Sequence, residues 1–443
     1  MLLKCPYCQE ARYCTDGKAR KKYTHIPIIP RLLSFVANRR IADQMQYRAR
    51  EHHHTPGKVH DVFDGTYYRS LRRQQVRLNG TDLPHKYFED HRDIALGLSA
   101  DGFSPFKRRK ASAWAFILFN YNLPPDIRFH VDNIMALGVV GPKKPVDPDS
   151  FLWPAVQELL RLLVGVRAFD GLTSLLFCLR AFLILVFGDI PAVALLMHMK
   201  GHNAILPCRM CKITGLRIPG TRATTHYVPL DWSRHPDVRI DPNILKSFDP
   251  KNLPMRTHEE IHSQGEEVQM APTITIADDL SKIYGVNGVS ILFHVSSISF
   301  PISFPYDFMH LIWENLIKNL VLLWTGKFKK LNQGTESYEL SESVWEAIGE
   351  ATVQSGSSIP SAYGPRLPDI AKDAWCYSAE MWSFWATFLG PVLLQRRFQR
   401  PKYHAHFIRL IQLLNICLQF EITEEEIDEV RQGFIRWVRE YEE

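Results

Sequence analysis

Ala181-Phe182-Leu183-Ile184-Leu185-Val186-Phe187-Gly188-Asp189 is the stretch on which the reading of this chain turns. An unbroken apolar run of this length, rich in branched and aromatic side chains, is the pattern of a strand buried on both faces. Gly188 closes the run, and Ile190 to Met199 then reads as a helix, with Pro191 tolerated in its first turn. Upstream, Phe151 to Val164 has helical periodicity, introduced by the cap-forming residues Asp147-Pro148-Asp149-Ser150. Before it come three strand-like segments. Ile94 to Ser99 ends at Ala100-Asp101-Gly102, Ala113 to Tyr121 stops at Leu123-Pro124-Pro125, and Asn133 to Val140 ends at Gly141-Pro142. The order is β-β-β-α-β-α, with Asp101 and Asp189 at the ends of the first and fourth strands.

Outside this block, Ile28 to Arg50 reads as helical, and residues 51 to 92 as a polar loop-and-helix connection. The region from about 200 to 300 interrupts the order with Cys208-Arg209-Met210-Cys211, many prolines and an acidic stretch, and is expected to be a mostly helical insertion. A helix around Asp307 to Leu323 follows. The last helix begins at Thr423-Glu424-Glu425-Glu426, whose acidic first turn suits the helix dipole. Its stripe of Ile427, Val430, Phe434, Ile435 and Val438 needs a partner surface.

With 443 residues, 46% hydrophobic, the chain has enough apolar material for real cores, which excludes global disorder. The longest apolar run is too short to span a bilayer, so no membrane partner is expected. The net charge of +6 agrees with a polyanionic partner. Basic residues cluster at Lys18 to Lys22, Lys107-Arg108-Arg109-Lys110, Lys327 to Lys330 and Arg396 to Lys402, as solvated surface or as phosphate contacts. Met1-Leu2-Leu3-Lys4 is no secretory signal, and the chain opens inside half of a zinc knuckle, Cys5-Pro6-Tyr7-Cys8. Cys14 or the histidines at 52 to 54 and 60 are the residues that could complete that site. Paired Cys-x-x-Cys spacing without a signal favours zinc over disulfides and an intracellular protein.

Phosphodiester chemistry asks for two divalent ions held by carboxylates from distant points of the chain. Asp101, Asp189 and Glu314 meet that description. Each also has a plain alternative: a turn residue before Gly102, a helix N-cap before Ile190-Pro191, and a solvent-facing glutamate in Leu311-Ile312-Trp313-Glu314-Asn315.

Leu96 to Phe106 resembles the first catalytic motif of the CACTA (En/Spm) DNA transposases, and Gly188-Asp189-Ile190-Pro191-Ala192 the second. Asp307-Phe308-Met309-His310, followed by Glu314-Asn315, resembles the third block, and Ile28-Ile29-Pro30-Arg31-Leu32 a further family segment. The resemblance implies a catalytic triad of Asp101, Asp189 and Glu314 with two Mg²⁺ or Mn²⁺ ions, acting in nicking of element ends and joining of 3′-hydroxyls to target DNA. It also implies a structural Zn²⁺ on Cys208 and Cys211, completed by His310 and Asp307, with His202, His226 and His258 as competing ligands. DNA, a homo-oligomer on DNA and a nuclear location are the partners and place expected.

The expected fold is α/β, a mixed five-stranded ribonuclease-H-like sheet with a helical zinc-bearing insertion and C-terminal helices. Its divisions are residues 1–92 (partial zinc knuckle and helices), 93–199 (first part of the core), 200–300 (insertion), 301–330 (Glu314 helix) and 331–443 (C-terminal helices). A transposase-derived protein that binds DNA without cutting it, a metal-dependent nuclease and a structural protein built around zinc are the rival readings.

Overall fold

The computed structural model describes the chain apart from residues 1–2, 5–9, 21, 105–111, 142–144, 146, 217–226, 234–245 and 329–335. Cys5, Cys8, His226, Lys329, Lys330 and the Lys107-Arg108-Arg109-Lys110 cluster therefore lie outside the described residues. The fold is mixed α/β and divides into two compact units. The first comprises 1–53, 66–200 and 257–305, the second 54–65, 201–256 and 306–443. The segment 200–300, read from sequence as one insertion, is thus divided between them. Its described helices, His258–Gln269 and Ile274–Tyr284, belong to the first unit.

The first unit is built on a four-stranded sheet. Its strands are β1 (Ile94–Phe103), β2 (Ala113–Asn120), β3 (Met135–Val140) and β4 (Ala181–Phe187), in the spatial order β3-β2-β1-β4. β2 pairs antiparallel with both β1 and β3, and β4 lies parallel to β1. A parallel neighbour needs a crossover, and α1 (Asp149–Val164) supplies a helix for it. Leu152, Val156, Leu159 and Leu162 of α1 are buried and join a core with Leu96, Phe116 and Leu183. α2 (Ile190–Leu196) follows β4 directly.

Among the described residues, four strands form this sheet where five were expected. The outer edge of β4 is met by Ser297–Ser303, with the Val186 N–H donating to the Ser303 carbonyl at 2.8 Å and the Ser297 hydroxyl to the Leu183 carbonyl at 2.6 Å. Pro301 and Pro305 flank Ser303 and bring no N–H to a ladder, so this segment covers the edge without extending the sheet. Two hairpins were also unforeseen. Gln75–Leu78 pairs with Thr81–Lys86 inside the supposed loop of 51 to 92, and Val166–Asp170 pairs with Leu175–Leu179 between α1 and β4. In the first, Gln75-Val76-Arg77-Leu78 alternates and buries Val76 but is only four residues long, and Thr81–Lys86 is mostly exposed and holds Pro84, so the pattern by which a strand is recognised is weak.

The Ile28 to Leu32 segment docks on the sheet through polar groups. Glu158 of α1 accepts the Ile28 and Ile29 N–H groups at 2.8 and 3.1 Å, satisfying donors that a helix N-terminus leaves open. The Arg31 guanidinium donates to the carbonyls of Ile26, Pro27 and Ala136.

The second unit is helical around an aromatic core that includes Trp313, Trp324, Trp345, Trp382, Trp385 and Trp437. Pro401–Cys417 and Glu424–Glu442 pack together, the His406 ring stacked on Trp437 with centroids 4.4 Å apart. The last helix is closed at its start by a capping box of Thr423 and Glu426. Its partner surface is thereby identified: Ile435 and Trp437 are buried, and Phe434 and Val438 pack against the same core.

Candidate active site and thiol centre

Asp101 lies inside β1 and not after it. The pairing of β1 with β2 continues through Asp101↔Ala115, Gly102↔Trp114 and Phe103↔Ala113, so the strand outlasts its apolar part. On the other side of β1, the last pair with β4 is Ser99↔Phe187. Asp101 stands two residues beyond that pair within β1, and Asp189 two residues beyond it, just past the end of β4, so both lie toward the same end of the sheet. The backbones come close here: a Cβ on Gly188 would lie 2.4 Å from the Ala100 carbonyl oxygen. Glycine before Asp189 is what lets the two chain segments approach.

The two carboxylates are held differently. Asp101 is exposed, with Oδ1 accepting the Gly102 N–H at 2.6 Å. Asp189 is half-buried and caps α2, its Oδ1 accepting the Ala192 N–H at 2.6 Å. The N-cap role weighed for Asp189 is therefore realised, whereas Asp101 stands in a strand and not in the turn weighed for it. Each hydrogen bond fixes one oxygen of its carboxylate.

Glu314 belongs to the second unit. It is half-buried on Met309–Ile317, a turn of wide π-helical geometry that runs on into the α-helix Lys318–Trp324. Ile312, Trp313 and Ile317 anchor that helix in the core. Asp307 and His310 begin it, and Asp307 Oδ2 lies 2.7 Å from His310 Nδ1.

Cys208 and Cys211, also in the second unit, form a thiolate-stabilising turn. The N–H groups of Met210 and Cys211 donate to Cys208 Sγ at 3.3 and 3.4 Å, and the Tyr306 hydroxyl lies 3.4 Å from the same sulfur. The Cys211 thiol, followed by Tyr306 and the two N–H groups, outweighs burial and holds the Cys208 thiol down at about 5, while Cys211 is pushed up by the same pairing and by burial. Tyr306 is likewise raised, by burial and then by the neighbouring Cys208 charge. The turn is clamped from behind by Arg256, whose N–H donates to the Met210 carbonyl and whose side chain donates to the Cys208 carbonyl. Arg209 lies over the Tyr306 ring, 4.3 Å from its centroid.

Residues 75–237 match the transposase family tnp2. The match supports a transposase-related function. It takes in Asp101, Asp189, Cys208 and Cys211 and ends before Asp307, His310 and Glu314. None of the curated proteins matches the chain.

Around the tnp2-like segment, the other sequence candidates fall into place one by one. His258 is in the first unit, where it accepts the Phe300 N–H through Nδ1 at 3.1 Å and packs on Phe293; burial lowers its pKa. His202 is exposed. His54 and His60 both meet the buried Asp64 through Nδ1, at 2.9 and 3.1 Å. Arg396, Arg397, Arg400 and Lys402 are exposed, whereas Lys18 pairs with Asp16 and Arg20 with Glu10. Among the described residues, no helix is long and apolar enough to cross a membrane. Tyr306 and Arg256 were missed, since no spacing rule links Cys208 to residues 48 and 98 positions away.

Proposed function

We propose that this chain is the catalytic part of a DDE-type DNA transposase of the CACTA kind, with Asp101, Asp189 and Glu314 as its acidic triad. The observation that carries the reading is the parallel pairing of β4 with β1, which brings the chain at Asp101 and the chain at Asp189 to the same end of the sheet within the tnp2-like segment. The strand order β3-β2-β1-β4, in which the β1–β4 pair is parallel and the other two pairs are antiparallel, supports a ribonuclease-H-like core.

Carboxylate oxygens are the hard donors that Mg²⁺ or Mn²⁺ takes, so the donor set fits two such ions. Bound there, the ions would supply activation of the attacking oxygen and stabilisation of the leaving one. The protein's share is positional. The Ala192 cap and the Gly188 approach hold Asp189, the β1–β2 ladder holds Asp101, and the buried Ile312, Trp313 and Ile317 hold the helix that bears Glu314. In the thiol centre, Cys208 and Cys211 fit Zn²⁺, with a thiolate already favoured on Cys208. His310 would be the third ligand through Nε2, with Asp307 orienting the ring through Nδ1 instead of binding the ion itself. The protein is then nuclear, acts on transposon ends and target DNA, and assembles as a homo-oligomer on DNA.

The test is strand transfer by the full chain, given a 3′-hydroxyl oligonucleotide donor, a target plasmid and Mn²⁺. Joined products that vanish in Asp101→Asn, Asp189→Asn and Glu314→Gln support the proposal. Cleavage without joining makes the protein a nuclease. DNA binding with neither product, with or without metal, makes it a non-catalytic derivative.

A further inference from the structure

Asp147, Asp149 and His198 meet in the first unit, and none of them has a part in the triad or the thiol centre. A ligand-type atom from each lies within 4.8 Å of the other two. Asp149 opens α1, and His198 follows α2 with a left-handed backbone, φ +55°. Asp149 Oδ1 and His198 Nε2 are 3.0 Å apart. Both atoms are buried, and neither makes a hydrogen bond of acceptable geometry. An imidazole and a carboxylate at that distance ordinarily align on a shared proton. Misaligned, they have the separation of two adjacent ligands of one ion, since donors ~2.1 Å from a metal and at right angles stand ~3.0 Å apart.

The remaining carboxylate contacts orient these side chains as outer hydrogen bonds orient metal ligands. Asp149 Oδ2 accepts the Ile291 N–H at 3.0 Å. Asp147 Oδ1 accepts the Asp149 N–H at 2.9 Å, and its Oδ2 accepts the Ser150 hydroxyl at 2.6 Å.

We propose that Asp147, Asp149 and His198 form a structural site for a divalent transition metal, Mn²⁺ or Zn²⁺. Two carboxylates with one imidazole suit these ions, whereas Mg²⁺ and Ca²⁺ favour all-oxygen sets. Occupied, the site ties together the start of α1, the end of α2 and the Ile291 segment. Because α2 begins at Asp189, the ion fixes the far end of the helix that Asp189 caps.

The experiment strips the full chain of metal with a chelator and adds back Mn²⁺ or Zn²⁺ alone. Hydrogen exchange is then followed by mass spectrometry in peptides covering 147–152, 195–200 and 289–293. Asp147→Asn and His198→Asn are compared with wild type, asparagine being chosen at 198 because it tolerates the left-handed backbone. Added metal is expected to slow exchange in all three peptides, with an apparent affinity at least about 10-fold lower in both variants. The metal-free exchange of each variant reports whether it is folded. Cys208→Ser and Asp101→Asn are expected to leave the protection intact, which separates this site from the thiol centre and the triad. Absence of metal-dependent protection in wild type, or protection of equal affinity in the variants, overturns the proposal.

Discussion

Asp93, at the foot of the strand that carries Asp101, makes the first unit's stability depend on pH in the direction opposite to a salt-bridged carboxylate. It is fully buried; its Oδ2 accepts the Asp90 N–H at 3.1 Å, while its Oδ1 is buried without a hydrogen bond, 4.0 Å from Arg180. Burial raises its pKa from 3.8 to about 7, against the pull of the Asp90 N–H, Arg180 and Arg48. A carboxyl raised in the fold contributes stability in full below its unfolded value, near pH 4, and loses it as pH rises through about 7. At about 1.36 kcal/mol per pH unit the shift sets a ceiling of about 4 kcal/mol, and dielectric relaxation brings the expected figure to about 2 kcal/mol. The assay is urea unfolding of wild type and Asp93→Asn from pH 4 to pH 8, read by hydrogen exchange in peptides of β1 and β4. Wild type should lose about 2 kcal/mol relative to the variant across that range, because asparagine has no proton to release. Parallel pH profiles for the two proteins would refute the reasoning.

Three further outcomes follow from the same geometry. In metal-free protein Cys208 should be alkylated by iodoacetamide at pH 6 well ahead of Cys211, and because its pKa is depressed, the stability it contributes is complete above pH 9 and lost as pH falls through about 5; equal labelling of the two thiols would contradict this. Gly188→Ala must move the Ala100 carbonyl, 2.4 Å from the new Cβ, at a cost of about 1–3 kcal/mol, which thermal unfolding measures. Asp189→Asn should keep the α2 cap and near-wild-type stability while losing strand transfer, whereas Asp189→Ala should also lose about 1 kcal/mol; retained transfer in the asparagine variant would remove Asp189 from the triad.

How much was legible in advance can be judged element by element. Ala181 to Phe187 was delimited correctly because a strand buried on both faces announces itself by an unbroken apolar run. The last helix was delimited by its cap, because Thr423 and Glu426 act on the backbone within a few residues of themselves. The first strand was ended too early, at Ser99 with Asp101 after it: the apolar pattern stops at Ala100, but the ladder with β2 runs to Phe103 on backbone hydrogen bonds that no side chain signals. The hairpin Gln75–Leu78 with Thr81–Lys86 is hard to read because its first strand is only four residues long and its second is mostly exposed and holds Pro84.

By itself, then, the sequence determined the strand-helix order, the acidic residues at the strand ends and the Cys-x-x-Cys turn, all properties written in contiguous residues. Tertiary structure alone decided that β4 lies parallel against β1, which brings Asp101 and Asp189, 88 positions apart in the chain, to the same end of the sheet. It also decided that Ser297–Ser303 covers the sheet edge, that Tyr306 and Arg256 hold the Cys208 turn, and that His198 reaches Asp149. The physical reason is common to these cases. Local patterns report periodicity and capping, which act within a few residues, whereas register and long-range polar contacts arise only when separated segments compete for the same buried space.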